Sequence, residues 1–275
     1  MNIVITCGYN KSLHAIALIN GLKNQGHNIV GCLVVRTFQY KRLKQNIKMY
    51  GIGTVIQKFQ NAVLKLENQL YKETLYIKKF LNDKKVNSSS VKNLCKRYNI
   101  PYVAVNNLNH KKSFIFFSTI SVDIIVYAGG GILRKKIINI PKHGVINAHS
   151  GYLPFFRGMN VIEWSLLYNV APTVSVHMIS PGIDTGDILY REKVPFNKDY
   201  SILDLRGESV VTEVKSLIKV MSNFEKYYQN RTKQDKKEGK QFFVMHNALK
   251  KIVKNNLSHQ SLSEINVKEE GFRFN

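Results

Sequence analysis

Acidic residues are scarce in this sequence. Its 275 residues include 18 Asp and Glu against 41 Lys and Arg, so the formal net charge is +23. Much of the excess lies in residues 36–112, with 17 basic and 3 acidic side chains. The basic side chains are mostly lysine, whereas proteins that read nucleic acid bases rely on the forked donors of arginine. We therefore expect a solvated lysine face and consider a nucleic acid partner unlikely, with a non-catalytic basic RNA-binding protein as the alternative.

Cysteine is also rare, and long hydrophobic runs are missing. The three cysteines, Cys7, Cys32 and Cys95, are odd in number and have no paired spacing, which excludes a disulfide framework and a zinc-ligand pattern. No apolar run approaches the ~20 residues needed to span a bilayer. Residues 2–7 form an apolar strand pattern without the basic start of a signal peptide. These features predict a cytoplasmic protein with no metal and no membrane partner.

The apolar pattern predicts an α/β fold. A strand at 2–7, a helix at 12–25 capped by Ser12, and a strand at 29–35 form a right-handed βαβ unit, which implies a mostly parallel sheet with flanking helices. The other predicted strands are 102–105, 123–128, 173–179, 188–196 (an antiparallel edge) and 240–245. The other predicted helices are 39–50, 61–81, 91–98, 159–168, 201–228 and 247–256. We expect a catalytic domain at 1–200 and a helix with a small C-terminal appendage at 201–275.

Three polar residues in the stretch 144–189 suggest chemistry. Asn147 and His149 follow the apolar residues of a short strand and, being two apart, point the same way in extended backbone. Asp184 lies in a glycine-rich turn after the strand 173–179. An amide can stabilise an oxyanion, an imidazole can move a proton near neutral pH, and a carboxylate can orient that imidazole. This set suits acyl-group transfer, and because no Ser or Cys lies in a nucleophile-elbow context, the substrate would supply the nucleophile.

Each of these residues also has an ordinary structural interpretation. Asn and Asp are common in turns, and a single His is more often a hydrogen-bonded structural group. Only the joint spacing favours a site. The loop at residues 8–12 has the same ambiguity, since it can offer an anion site at a helix N-terminus or be a plain turn. It has neither the P-loop nor the dinucleotide glycine pattern.

Two separated motifs in this stretch resemble a known family. Asn-x-His-x-x-x-Leu-Pro-x-x-Arg-Gly at 147–158, followed by Ile-Asp-Thr-Gly-Asp-Ile at 183–188, is similar to the folate-dependent formyltransferases. The resemblance implies a Rossmann-like fold, an Asn–His–Asp catalytic trio carried by Asn147, His149 and Asp184, and 10-formyltetrahydrofolate as cofactor.

The resemblance also implies where the cofactor and the substrate bind. Residues 129–133 resemble the family segment that forms the pterin pocket, and a plain strand-to-helix turn is the alternative there. The candidate cofactor-binding residues are Gly129, Gly130, Gly131, Ile132, Leu133, Gly182 and Ile183. The candidate substrate-binding residues are Asn10, Lys11, Ser12, Arg157, Trp164 and His177.

The formyl acceptor suggested by the resemblance is a small molecule, a nucleotide-linked amino sugar. Residues 159–167 and 239–246 look similar to the sugar-nucleotide enzymes of the family. The 36 residues after the charged linker 231–239 are too few for the tRNA-contacting barrel that methionyl-tRNA formyltransferases carry. Methionyl-tRNA and glycinamide ribonucleotide formyltransferases are the enzymatic alternatives, and the oligomeric state, including a homodimer, is left open.

Overall fold

A computed structural model describes residues 1–36, 74–197, 199–235 and 237–259. The predicted helix 39–50 and most of the predicted helix 61–81 lie outside these residues. The strands described are β1 Asn2–Cys7, β2 Asn28–Val35, β3 Tyr102–Val105, β4 Ile124–Ala128, β5 Val145–His149, β6 Phe156–Gly158, β7 Thr173–Met178, β8 Ile188–Lys193 and β9 Lys240–Phe242. The helices described are α1 Leu13–Asn24, α2 74–83, α3 Val91–Arg97, α4 Lys111–Ser118, α5 Lys135–Ile138, α6 Val161–Leu167, α7 Ile202–Ser222, α8 Phe224–Gln229 and α9 Asn247–His259.

The larger sheet has the strand order β3-β2-β1-β4-β5-β7-β8. The five strands from β3 to β5 are parallel, whereas β7 pairs antiparallel with β5 and β8 pairs antiparallel with β7 at the edge. This confirms the predicted Rossmann-like α/β fold with its antiparallel edge. Because the parallel strands share one direction, the loops that follow β1, β4 and β5 emerge at the same end of the sheet, where ligands bind in open α/β folds.

Helices cover both faces of this sheet. Alternate residues of each central strand point to opposite sides, so Ile3 and Ile5 join one core cluster while Val4 joins another. The first cluster packs under α1 and α7, and the second includes Phe117 of α4 and Ile137 of α5. Neither α4 nor α5 was expected from the sequence pattern, because both are short. Two covered faces explain why the central strands are apolar at consecutive positions.

The long helix α7 begins at a capping box. The Ser201 hydroxyl accepts from the Asp204 N–H, and the Asp204 carboxylate accepts from the Ser201 N–H. The predicted helix to residue 228 is wrong in its length, since Asn223 leaves helical backbone angles (φ −134°, ψ 43°) so that Phe224 can bury its ring. Helix α7 packs against α1 and β7 in the main core. The proposed division into two domains at residue 200 stays a prediction.

The C-terminal segment pairs with the part of the chain that follows β5. Strand β9 pairs in parallel with β6, with Arg157 opposite Gln241. The predicted strand 240–245 is therefore present over its first three residues, whereas β6 was not expected. Helix α9 then packs against α6. Of the helices in the described ranges, each is too short or too polar to cross a membrane.

Candidate functional site

The pairing of β5 with β7 brings Asn147 opposite His177. The Asn147 amide nitrogen Nδ2 lies 3.2 Å from His177 Nε2, and His177 Nδ1 lies 2.9 Å from the Met178 carbonyl oxygen. A carbonyl oxygen only accepts, so Nδ1 carries the ring proton and Nε2 accepts from the amide. The buried imidazole therefore fixes the orientation of the Asn147 side chain.

The His177 ring is neutral at physiological pH. Its side chain is buried, and burial lowers its pKa to about 4 although the Asp184 carboxylate pulls the pKa upward. An imidazole that stayed protonated would present an N–H at Nε2 and could not accept from Asn147. Burial thus maintains the protonation state that the hydrogen bond requires.

His149 lies two residues beyond Asn147 on the same side of β5. Its Nε2 lies 3.0 Å from the Phe156 carbonyl oxygen, so Nε2 carries a proton and Nδ1 has the lone pair. Gly151 permits this arrangement, because a Cβ at that position would lie only 2.6 Å from His149 Nε2 and closer still to the Phe156 oxygen. Gly151, two residues beyond His149, is therefore a steric requirement of the site.

Asp184 faces both histidines from the turn after β7. Its two carboxylate oxygens lie 3.6 Å from His149 Nε2 and 3.8 Å from His177 Nε2, and Oδ2 accepts from the Gly158 N–H at 2.9 Å. The turn holds Asp184 in left-handed backbone with φ 53°. The structure thus brings the three predicted catalytic residues together and adds His177 to the group.

Gln234 supports this turn and was missed from the sequence. Its amide nitrogen donates to the carbonyl oxygens of Asp184, at 3.1 Å, and of Gly186. Gln234 lies 50 residues from Asp184, in a stretch that reads as a charged linker. No local signal in the sequence distinguishes it from its polar neighbours.

A cleft of about 330 Å³ opens beside His149. Among the described residues, three ionisable side chains line it together with the imidazole: Glu163 from α6, and Arg206 and Glu213 from α7. The Ser150 hydroxyl donates to the Glu213 carboxyl group. Burial raises the pKa of Glu213 to about 7, and the bond from Ser150 opposes that rise. This volume lies at the lower end of the range of about 300–1,000 Å³ that is usual for small-molecule sites.

The glycine loop after β4 fits a flat ligand that is read by backbone groups. Gly129, Gly130 and Gly131 all have positive φ (98°, 122° and 91°), so this stretch presents backbone without side chains. Asn109 fixes the end of the loop, since it donates to the Ile132 carbonyl oxygen and accepts from the backbone N–H of residue 134, both at 2.8 Å. Ile132 is 78% exposed, which leaves apolar surface beside the loop for a ring.

Tyr127 anchors the glycine loop from β4. The Tyr127 hydroxyl donates to the Gly131 carbonyl oxygen at 3.0 Å. Burial raises the pKa of Tyr127, the bond to Gly131 opposes that rise, and the charge of Asp184 adds to it. The other predicted cofactor residues, Gly182 and Ile183, are exposed and directly precede Asp184.

The loop at residues 8–12 lies against the glycine loop. A Cβ on Gly8 would come within 3.4 Å of the Gly130 nitrogen. Two of the predicted substrate residues act here as helix caps: Ser12 Oγ accepts from the Ala15 N–H, and Asn10 Oδ1 accepts from the first turn of α3. Lys11 is exposed at the same place.

Two of the remaining predicted substrate residues, Arg157 and Trp164, bind the C-terminal segment. Arg157 is buried and donates to the Gly239 carbonyl oxygen at 2.9 Å. Trp164 donates from its indole nitrogen to the Phe243 carbonyl oxygen, also at 2.9 Å. Both side chains thus hold the residues around β9, whereas His177 lies in the group with Asn147.

Comparison with known sequences identifies one family. The sequence model described as "Formyl transferase" matches residues 1–221. The chain is 26% identical over 173 residues to a methionyl-tRNA formyltransferase of Finegoldia magna, covering 62% of this chain and 56% of the relative. It is 30% identical over 184 residues to one of Clostridium botulinum, covering 66% and 57%. The chain thus spans less than three fifths of the length of these relatives.

Solved structures share the fold at low sequence identity. An N-formyltransferase of Helicobacter canadensis, in complex with folinic acid and dTDP-3-aminofucose, superposes with a TM-score of 0.54 at 14% identity, over 94% of this chain and 81% of its own. A phosphoribosylglycinamide formyltransferase of Bacillus halodurans superposes with a TM-score of 0.53 at 16% identity, over 81% and 95%. At these identities the likeness concerns the fold.

Proposed function

Because the chain belongs to the formyl transferase family, we propose that it transfers a formyl group from 10-formyltetrahydrofolate to an amine of an acceptor substrate. The observation that carries this proposal is the convergence of Asn147, His149 and Asp184 beside a cleft, at the end of the sheet where α/β folds bind ligands. The substrate amine is the nucleophile: its bond to the formyl carbon forms as the bond from that carbon to the folate nitrogen breaks, and the proton that the amine loses balances the one that the leaving folate nitrogen gains.

Asn147 stabilises the negative charge that develops on the formyl oxygen. A primary amide has two N–H donors, so one can bind His177 Nε2 while the other meets the oxygen. The bond to His177 limits rotation of the amide, and a donor that is oriented in advance needs no reorganisation during the reaction. His177 is therefore a positioning residue in this scheme.

His149 receives the proton that the attacking amine releases. With Nε2 bonded to the Phe156 carbonyl oxygen, Nδ1 is the nitrogen with the free lone pair. The Asp184 carboxylate, 3.6 Å from Nε2, stabilises the resulting imidazolium ion. A water molecule held by Asp184 is the alternative base.

The cofactor is assigned to the glycine loop 129–133 together with Gly182 and Ile183. When bound, 10-formyltetrahydrofolate supplies the formyl carbon. The bare backbone of the three glycines suits hydrogen bonds to the edge of a pterin, and the exposed Ile132 offers apolar contact to its ring, whereas Leu133 is buried in the core beneath the loop. Tyr127 holds this loop through its bond to the Gly131 carbonyl oxygen.

We assign the acceptor to the class of nucleotide-linked amino sugars. The cleft beside His149 holds two carboxyl groups and one guanidinium group, which suits hydroxyl and amine donors better than the phosphates of RNA. The fold of the sugar N-formyltransferase from Helicobacter canadensis also matches 94% of this chain, and so includes part of the segment after residue 221.

Methionyl-tRNA is the second candidate acceptor. The curated relatives described above are methionyl-tRNA formyltransferases, and the chain carries a net charge of +23 that would favour association with RNA. The matched segments, however, cover less than three fifths of those relatives.

Turnover with defined acceptors tests the proposal. The protein is incubated with 10-formyltetrahydrofolate and, separately, with 3-amino and 4-amino nucleotide sugars, glycinamide ribonucleotide and methionyl-tRNA, and the products are measured by mass spectrometry. We expect formylation of at least one amino sugar. Formylation of methionyl-tRNA alone would transfer the assignment to the second candidate, and absence of turnover with every acceptor would refute the enzymatic proposal.

A further inference from the structure

Within the part of the chain that the structure describes, one carboxylate oxygen of Glu163 is buried without a hydrogen-bond partner. The side chain, on the first turn of α6, is only 2% exposed. Its Oε1 accepts from Arg206 Nη2 and, at 3.4 Å, from the Asn160 amide. Its Oε2 is buried and accepts from no group among residues 1–36, 74–197, 199–235 and 237–259. A buried acceptor without a donor costs roughly 1–3 kcal/mol, and more when it is charged.

This oxygen belongs to a residue that lines the cleft beside His149. The cleft borders the His149 imidazole, so an acceptor whose amine approaches that ring from this side would lie in the cleft. A ligand that occupied the cleft could supply the missing donor to Glu163 Oε2. The cost of the unpaired oxygen in the free protein would then be recovered on binding, which is a common basis for specificity toward polar ligands.

The charges of the cleft indicate which chemical groups of a ligand it can bind. Its charged lining residues are the acids Glu163 and Glu213 and the base Arg206, and Arg206 is already paired with Glu163. Since Glu163 and Arg206 neutralise each other and burial raises the pKa of Glu213 to about 7, the cleft has at most a partial negative charge near neutral pH, in contrast to the net charge of +23 of the whole chain. Such a lining offers carboxyl oxygens to groups that donate hydrogen bonds, namely hydroxyl and ammonium groups, and its arginine is already paired with Glu163, which disfavours a phosphate.

We infer that Glu163 is a specificity-determining residue that binds a hydroxyl or ammonium group of the formyl acceptor through Oε2. Arg206 is the positioning residue that holds the carboxylate in place. The inference rests on the proposed function. It states that the amine-bearing polyol of the acceptor, and not a phosphate, enters the cleft.

A purely structural role is the competing explanation. The pair Glu163–Arg206 also joins α6 to α7, and that alone could account for a buried acid. The substitution Glu163→Gln separates the two roles. Glutamine keeps one oxygen to accept from Arg206 but replaces Oε2 with an NH₂ group, which donates and cannot accept. The exposed Glu225 on α8 gives the matched control, Glu225→Gln.

The test uses dTDP-3-aminofucose as the probe acceptor, with the 3-amino and 4-amino sugar panel as further acceptors. We expect E163Q to melt within a few degrees of the wild type and to bind tetrahydrofolate with unchanged Kd. Its KM for the acceptor, and the calorimetric Kd for the same compound, should rise at least about tenfold, with a smaller change in kcat. E225Q should match the wild type throughout.

Two results would count against the inference about Glu163. If the wild type formylates an amino sugar and E163Q does so with unchanged KM, the inference is overturned while the proposed function stands. If the wild type formylates none of the sugars, the proposed acceptor class fails and this inference fails with it. Should E163Q not fold, Glu163→Asp is measured instead. It keeps the charge but withdraws the carboxylate by one methylene, and an unchanged acceptor KM would again overturn the inference.

Discussion

Asn147 and His177 face each other across the antiparallel pair β5–β7, and the Asn147 amide donates to His177 Nε2 at 3.2 Å. The donor that is proposed to meet the formyl oxygen is therefore oriented by a second side chain from the neighbouring strand. That orientation depends on protonation, because Nε2 accepts only while the ring is neutral. The relationship makes the charge state of a buried histidine part of the site.

We predict that His177 stays neutral well below the pH at which histidine normally becomes protonated. Burial lowers its pKa from the usual 6.5 to about 4. Between these values the unfolded state binds a proton that the folded state does not, so the stability contributed by His177 falls as pH falls from 6.5 toward 4. Imidazole ¹⁵N shifts followed from pH 7.5 to 5 will check this. A His177 ring that becomes protonated near pH 6.5 would contradict the assigned hydrogen bond.

Substitution of the two strand residues should remove most of the activity without unfolding the protein. Loss of one oxyanion donor typically costs about 3–4 kcal/mol of barrier. We therefore expect Asn147→Ala and His149→Ala each to lower kcat at least about a hundredfold with a near-normal melting temperature. In the double mutant Asn147→Ala/His177→Ala, loss of His177 should add little, because it acts through Asn147. Near wild-type turnover of either single variant would remove the catalytic assignment.

The resemblance of two sequence motifs to a family predicts the trio, but the sequence does not predict its geometry. Alternation in residues 145–149 predicts that Asn147 and His149 share a side, and the second motif supplies Asp184. Which residue of β7 lies opposite Asn147 depends on the register between two strands that are about 30 residues apart, and a shift by one residue would turn His177 away. That register is set by tertiary packing, so the contact between Asn147 and His177 could not be predicted.

The contacts by which the C-terminal segment holds the site could not be predicted from the sequence either. The pairing of β9 with β6 and the bonds from Gln234 to the Asp184 turn join residues about 50 to 85 positions apart. Short three-residue strands give almost no periodic signal, and a glutamine between Lys233 and Asp235 is typical of a solvent-exposed linker. What the sequence does predict well are the long apolar elements, such as β1, α1 and β4, because their patterns are local.

Replacement of Glu213 should stabilise the protein more as the pH rises. Burial raises its pKa from 4.5 to about 7. Between these values the folded state binds a proton that the unfolded state has lost, so the wild type loses stability as pH increases through this window. Glu213→Gln removes the titration, and we expect its stability relative to the wild type to grow by on the order of 1–3 kcal/mol from pH 5 to pH 8.

Denaturant titrations at pH 5, 6, 7 and 8 measure this difference. The exposed Glu225 provides the control, because Glu225→Gln should change stability little at every pH. A stability difference between Glu213→Gln and the wild type that is the same at pH 5 and pH 8 would show that the Glu213 carboxyl group titrates as an ordinary one.

Gln234 should prove essential to the position of Asp184. Its amide nitrogen donates to the carbonyl oxygens of Asp184 and Gly186. Gln234→Glu replaces that donor with a carboxylate oxygen that faces two acceptors, and the resulting repulsion should displace the turn. We expect kcat to fall about tenfold or more while the melting temperature changes by only a few degrees. The exposed Gln229→Glu has the same change in charge and should keep full activity, so equal activities of the two variants would show that the Gln234 contacts have no effect on Asp184.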